Sequence, residues 1–246
     1  MSPKKHTVLV TGGGSGIGFA LAANLLQRGH RVIACGRDDE KLQAAKERLS
    51  GLETIPADVA SEASRALLLE WLQRYAPELS MLINNAGIQN HLDLRSSGVA
   101  RQRIEDEIAI NLAAPVLLTL AALPILRKSP SATIVNVTSA LAFCPLAEVP
   151  VYCATKAALH SFTLSLRHEL AGVARVVELA PPVVTTDLDR DGRRPGSGGP
   201  PGIPPEAFAT EALERMFAGE NEVAVGLAAA LRVRGDAMFN ELNRPR

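Results

Sequence analysis

The sequence predicts an α/β fold, a parallel sheet wound in both directions with helices on both faces, and two observations predict it. Short β-branched runs at 6–11 (HTVLVT), 31–35 (RVIAC), 81–85 (MLINN), 132–139 (ATIVNVTS) and 175–180 (RVVELA) alternate with segments of helical period at 16–28, 39–49, 61–75 and 99–127. Strands separated by helices need right-handed crossovers and a sheet covered on both faces. The first run is followed at once by a glycine-rich turn, TGGGSGIG at 11–18, where such sheets bind their ligands. The expectation is a Rossmann-type doubly wound fold forming a single domain over residues 1–246.

Composition narrows the function. At 246 residues and 47% hydrophobic content the chain can bury one full core. Lys plus Arg equals Asp plus Glu at 26 each, which argues against nucleic acid or an anionic membrane as partner and leaves a small molecule. Cys35, Cys144 and Cys153 form an odd set without C-x-x-C spacing, as expected of reduced thiols in a cytoplasm. The five histidines make no zinc pattern, so no metal is expected. The N-terminal stretch has two lysines but no long apolar region, so no signal peptide is expected.

Two segments depart from the alternation. Residues 108–126 run for 19 positions without a charge, long enough to span a membrane. Asn111, Pro115, Thr119 and Pro124 interrupt them, and Glu105, Asp106 and Glu107 lead in as at a helix start, which predicts a core helix buried on most sides. In 191–205, 10 of 15 residues are Gly or Pro, so a linker or a mobile loop over the substrate is expected rather than a helix or ladder. A helix at 206–218, a short strand at 221–225 (NEVAV) and a last helix at 227–242 should follow.

The chemistry is carried by spacing. Gly12, Gly16 and Gly18 follow G-x-x-x-G-x-G, and no frame gives G-x-G-x-x-G or the P-loop. Such a turn lets a pyrophosphate approach the backbone at the N-terminus of the next helix, although a plain tight turn uses glycines too. Tyr152 and Lys156, in VYCATKAAL, lie four apart on a helix starting near Pro150, hence on one face. A phenol titrates near about 10, and an adjacent ammonium favours the phenolate, which fits a general acid or base. The same spacing also fits an amphipathic helix with a surface Tyr and Lys. Ser139 at a strand's carboxyl tip faces the ligand crevice, and Asn111 is an amide within an apolar helix, costly to bury without partners; one site accounts for both.

Together these residues resemble the short-chain dehydrogenase/reductase family: Thr11-Gly12, Gly16 and Gly18; Asp58 in ADV; Asn84-Asn85-Ala86-Gly87; Asn111; Ser139; Tyr152 and Lys156; and the stretch from Pro181 to Thr186. The likeness covers roughly residues 6–190. It implies that Tyr152 exchanges a proton with the substrate oxygen and that Ser139 hydrogen-bonds that oxygen. Lys156 would bind the nicotinamide ribose and favour the tyrosinate, and Asn111 would hold a water joining Lys156 to solvent. Hydride would pass between nicotinamide C4 and the substrate carbon.

The resemblance likewise puts Asp58 and Val59 at the adenine, Asn85, Ala86 and Gly87 at the adenosine ribose and Thr186 at the carboxamide. Gly12, Ser15, Gly16, Ile17, Gly18, Pro181 and Val184 complete the cofactor contacts. Where the family usually has Pro-Gly this chain has Pro181-Pro182, so the backbone beside the nicotinamide should bend differently. Residues 141–170 and the VELAPP that follows are similar to a bacterial branch labelled DltE-like, after D-alanine esterification; no G-x-S-x-G elbow exists here, and hydride rather than acyl transfer is expected.

At the end of the second strand, where NAD-specific enzymes place a carboxylate, stands Gly36, followed by Arg37. Arg37 suits the 2′-phosphate of NADP (NADPH), making NAD the lesser expectation, unless it pairs with Asp38, Asp39 or Glu40 instead. Ser15 stands where many NADP-preferring relatives carry a base. The expected function is an NADP(H)-dependent oxidoreductase acting on a carbonyl or secondary alcohol. A non-catalytic nucleotide-binding sensor or scaffold is the alternative, against which the intact Asn111, Ser139, Tyr152 and Lys156 argue. Residues 141–149 and the 191–205 loop point to a mainly apolar ligand, with Arg190, Arg193 and Arg194 either touching an anion or simply solvated. Ala154, Ala158, Ser161 and Ser165 form a small-residue stripe on the tyrosine helix, and the family commonly pairs this helix, so a homodimer or homotetramer is expected.

Overall fold

The computed structural model describes residues 5–92, 101–189 and 202–244. Seven strands form one parallel sheet: β1 (Thr7–Thr11), β2 (Arg31–Gly36), β3 (Leu52–Pro56), β4 (Leu79–Asn84), β5 (Thr133–Val137), β6 (Arg175–Ala180) and β7 (Glu222–Ala224), in the spatial order β3-β2-β1-β4-β5-β6-β7. Every residue of β1, β4 and β5 is buried, as both-face coverage of a parallel sheet demands. The chain winds outward from β1 to β3, then returns to place β4 beside β1. That reversal opens a crevice between the loops leaving β1 and β4, the place where doubly wound sheets bind ligands.

Two helical layers cover the sheet. On one face α1 (Gly16–Gln27), α2 (Asp39–Arg48) and α7 (Pro205–Phe217) contribute Leu21, Leu25, Leu42, Phe208 and Leu213 to a core with Val8, Val10 and Val135. On the other, α3 (Glu62–Tyr75), α5 (Ala114–Leu126) and α6 (Pro150–Glu169) pack Leu68, Leu72, Leu118, Ala122 and Leu166 on Leu9, Leu82 and Ile134. Each such leucine contributes roughly 1.5–3 kcal/mol by leaving water.

Several elements differ from the sequence expectation. The edge strand β3 carries Glu53 and ends on Pro56, a composition that hides a strand but is tolerated at a sheet edge. Residues 99–127, expected as one helix, contain α4 (Arg101–Ile108), a π turn (Ala109–Ala113) and α5. By length and composition Arg101–Leu126 could cross a membrane, yet half of its most apolar window is buried within the fold. It is not buried on most sides, because Ile108, Leu117 and Leu120 are exposed. Nor do residues 105–107 start the helix: Glu107 lies in its second turn and is 0% exposed. The last helix breaks at Gly235 (φ 51°) into α8 (Leu227–Arg234), a 3-10 turn and α9 (Phe239–Leu242).

Most of the glycine- and proline-rich stretch, with Arg190, Arg193 and Arg194, lies outside the described residues. Its last part is no linker: Ile203 forms a parallel bridge with Val184, donating its N–H to Val183 O (3.0 Å) and accepting from Thr185 N (2.9 Å), and Pro205 starts α7. A proline at the first helical position gives up an N–H that had no partner there.

Candidate active site

At the carboxyl ends of the strands lies a cleft of about 560 Å³. Its floor is the junction of the β1 and β4 loops. Gly12 has φ 65° and donates its N–H to Cys35 O (2.7 Å); a Cβ there would lie 3.0 Å from Ala86 Cα. A Cβ on Gly18 would run into the Gly12 carbonyl. The turn therefore rests directly on the Asn85 loop. Thr11 Oγ1 accepts from the N–H groups of Asn85 (2.9 Å) and Ala86 (3.0 Å), while Asn85 Nδ2 donates to Thr11 O (2.9 Å). Ser15 precedes α1 without a side-chain capping bond, so the first-turn N–H groups remain available to an anion.

Of the cofactor residues named from sequence, Gly12, Ser15, Gly16, Ile17, Arg37, Asp58, Val59, Asn85, Ala86, Gly87, Pro181 and Thr186 line this cleft, with Tyr152 and Lys156. Gly18 and Val184 do not: Gly18 packs beneath the turn, and Val184 lies against the core in its bridge with Ile203. Arg37 is exposed and forms no ion pair among the described residues; Asp38 instead caps α2, accepting from Lys41 N (3.0 Å), and Asp39 accepts from Gln43. Sequence reasoning missed Lys41, which shares the cleft wall with Arg37. Its signal was available: four residues beyond Arg37, at the start of a helix.

Across the cleft, α6 begins with Pro150 and turns Tyr152 and Lys156 inward, 5% and 4% exposed. Lys156 Nζ donates to Val137 O (2.9 Å) and lies 5.7 Å from the centroid of the Tyr152 ring. Burial lowers its pKa to about 8, against a rise caused by the Glu107 charge. Ser139 lies two residues beyond β5 in extended conformation, its Oγ accepting from Leu141 N (3.1 Å). Its neighbours are tied to β6 by Thr138 N to Leu179 O (2.9 Å) and Ala140 N to Pro181 O (2.8 Å).

Asn111 sits in the π turn, fully buried and off the cleft wall. Its Oδ1 accepts from Ile88 N (2.9 Å), and its Nδ2 donates to Ile88 O (2.8 Å) and Thr155 Oγ1 (3.3 Å). The amide clamps the segment after β4 that forms one cleft wall. One trio among the described residues, His160, Glu178 and Glu222, brings its ligand atoms within 4.8 Å of one another. Its charges already have partners: Glu178 accepts from Thr138 Oγ1 (2.6 Å) and pairs with His160, and Glu222 pairs with Arg232 (2.6 Å).

With a glycine turn, a buried Tyr-Lys pair and a clamped β4 loop around one cleft, comparison with known proteins decides the family. A family model described as short chain dehydrogenase matches residues 6–195. The chain belongs to the short-chain dehydrogenase family. It is 43% identical over 248 residues to the uncharacterized oxidoreductase DltE of Bacillus subtilis, covering 99% of this chain and 98% of that one. Among solved structures, a short-chain dehydrogenase from Burkholderia cenocepacia in complex with NADP matches with TM-score 0.84 at 26% identity over 100% of both chains. One from Sphingobium yanoikuyae in complex with NADPH matches with TM-score 0.80 at 28% identity, over 89% of this chain and 87% of that one.

In this short-chain dehydrogenase the buried ammonium opposes folding. The unfolded chain keeps Lys156 protonated up to about 10.5, whereas the folded protein releases that proton from about 8. The penalty is complete below pH 8 and is relieved as the pH rises to 10.5. Lys156→Met should therefore raise unfolding stability by about 1–3 kcal/mol at neutral pH, even with the Val137 carbonyl left unpaired, and the gain should fade above about pH 8. Denaturant unfolding at neutral and at alkaline pH checks both halves.

Proposed function

We propose that this chain is an NADP(H)-dependent oxidoreductase interconverting a carbonyl and a secondary alcohol. The observation that carries the reading is the buried Lys156 ammonium beside Tyr152, facing a cleft floored by the glycine turn. The cleft suits the cofactor: backbone N–H groups at the start of α1 would meet the pyrophosphate, Asp58 and Val59 the adenine, and Asn85, Ala86 and Gly87 the adenosine ribose. Bound there, the nicotinamide would supply or accept the hydride. Tyr152 would give the proton to the substrate oxygen or take it back, Lys156 would favour the phenolate and hold the ribose, and Ser139 would hydrogen-bond the substrate oxygen. A sensor that only binds nucleotide could use Lys156 to hold the ribose but has no use for Tyr152 beside it on the cleft wall, which favours the enzyme over that alternative.

The preference for NADP rests on Arg37, which follows Gly36 at the end of β2; Lys41 of α2 shares the cleft wall and pairs with Asp38 at 3.6 Å. The NADP and NADPH complexes of the structural relatives support it. The substrate would be a small, mainly apolar molecule. Three free, buried thiols fit a cytoplasmic location. Self-association is favoured by exposed Leu117 and Leu120 on α5 and Leu164 on α6, beside the small exposed Ala154, Ser161 and Ser165.

Tyr152→Phe should abolish turnover of a carbonyl panel, followed by loss of reduced-cofactor absorbance, while the affinity for NADPH stays nearly intact; a variant retaining most of its activity would remove Tyr152 from the reaction. The preference for NADPH over NADH in kcat/KM should be roughly 10- to 150-fold, and Arg37→Asp should reduce or reverse it. Equal values in the unmodified enzyme would show that Arg37 does not read the phosphate. Light scattering should give a dimer or tetramer at micromolar concentration, and Leu120→Arg should weaken it.

A further inference from the structure

We propose that Glu178 is a positioning residue of this site, whose carboxyl group, through Thr138 and His160, holds the tip of β5 that leads into Ser139 against the face of α6 that carries Tyr152 and Lys156. The proposal deepens the reading of Ser139, Tyr152 and Lys156 as the reacting set and rests on it. Glu178 lies on β6 and is 0% exposed, between Val177 and Leu179, which are as fully buried. A leucine in its place would pack without taking a polar group out of water, so building the sheet does not by itself call for a carboxyl group.

Its contacts show what it serves. Oε1 accepts from Thr138 Oγ1 (2.6 Å), and His160 Nδ1 lies 2.8 Å from Oε2 and 3.0 Å from Oε1. Thr138 is 1% exposed; it follows Val137, whose carbonyl accepts from Lys156 Nζ (2.9 Å), and precedes Ser139. His160 lies four residues beyond Lys156 and eight beyond Tyr152, so the three share one face of α6. Glu178 is therefore bonded on one side to the neighbour of Ser139 and on the other to the next turn of the helix that carries the phenol.

Three successive residues tie the end of β5 to α6. Asn136 Nδ2 donates to Thr163 Oγ1 (2.9 Å), Val137 O accepts from Lys156, and Thr138 reaches His160 by way of Glu178. Of the three, the bridge through Glu178 is nearest to Ser139. The Lys156 bond cannot set the gap, because a four-carbon stem lets the ammonium follow a carbonyl that shifts. Backbone bonds from Thr138 and Ala140 hold this segment to β6 and the strand's exit, which leaves its spacing from α6 to the bridge. Beyond the bridge, the His160 ring meets the Phe143 ring edge-on at 5.1 Å, and Arg232, paired with Glu222 (2.6 Å), lies 5.4 Å over Phe143. The turn that follows Ser139 thus ends on the same imidazole that Glu178 holds.

The test compares Thr138→Val, which keeps the shape of the side chain and removes its donor, with Thr138→Ser, which keeps the donor. With NADPH and a panel of ketones and aldehydes, Thr138→Val should lower kcat about tenfold per folded enzyme, while KM and the affinity for NADPH stay within about twofold of the wild type. Thr138→Ser should recover most of the loss. His160→Leu should act alike, and combined with Thr138→Val it should cost less than the product of the two losses, because both work through Glu178. Hydrogen exchange in the cofactor-free protein needs no turnover: the Ala140 and Ala142 amides should lose protection in Thr138→Val and keep it in Thr138→Ser, with β1 unchanged in both. If Thr138→Val does not fold, His160→Leu against His160→Gln makes the same comparison. An unchanged kcat in the folded donor-free variant, an equal loss in the variant that keeps the donor, or unchanged exchange at Ala140 and Ala142 would overturn the proposal. A wild type that turns over no carbonyl while its exchange responds as expected overturns the oxidoreductase reading and leaves the clamp in place, so the two failures give different results.

Discussion

The site is organised around one buried cation. A Lys156 ammonium that is 4% exposed must be met by oriented dipoles. The Val137 carbonyl at the tip of β5 accepts a hydrogen bond from it, and the Tyr152 ring of the same helix lies 5.7 Å from it. Lys156 therefore ties α6 to the end of the sheet, and its burial costs folding free energy.

Such a constellation needs helices that cannot rotate, and a polar chain through the core provides this. Asn84 on β4 donates to Thr119 Oγ1 on α5 (3.0 Å) and to Asn136 Oδ1 on β5 (2.9 Å), and Asn136 Nδ2 donates to Thr163 Oγ1 on α6 (2.9 Å). All four residues are buried, so every bond broken by a slip would leave a polar group unpaired in a low dielectric. Apolar packing alone would permit α6 to turn or slide at small cost. Thr163, seven residues beyond Lys156 and two helical turns along, fixes the face that carries Tyr152 and Lys156.

What the sequence made legible follows from how local each signal is. Alternating strands and helices, the glycine spacing and the Tyr-Lys interval are each carried by a few neighbouring residues, so most of the sheet and half of the cleft wall were anticipated. Strand β3 was not, since Glu53 and Pro56 are tolerated only because that strand lies at an edge, a fact of sheet order. Thr119 registered as an interruption of an apolar run, and its reason, the bond to Asn84, spans 35 positions. Glu107 registered as a helix-start charge because three acidic residues in a row lead into the apolar run, although α4 already includes Arg101. Gly18 and Val184 share a motif with residues on the cleft wall, yet a motif does not distinguish a residue that touches a ligand from one that holds the turn.

The π turn at 109–113 reconciles two demands on one helical rod. Before it, Glu107 and Asn111 must face the segment after β4; beyond it, Leu118 and Ala122 must face the sheet. A π turn adds a residue without a matching rise and shifts the following face by about 100°, which separates the phase of the polar half from that of the apolar half. The same shift turns Leu117 and Leu120 outward, away from the core. An apolar surface on α5 is thus a geometric consequence of turning Asn111 toward the segment after β4 while Leu118 and Ala122 stay on the sheet.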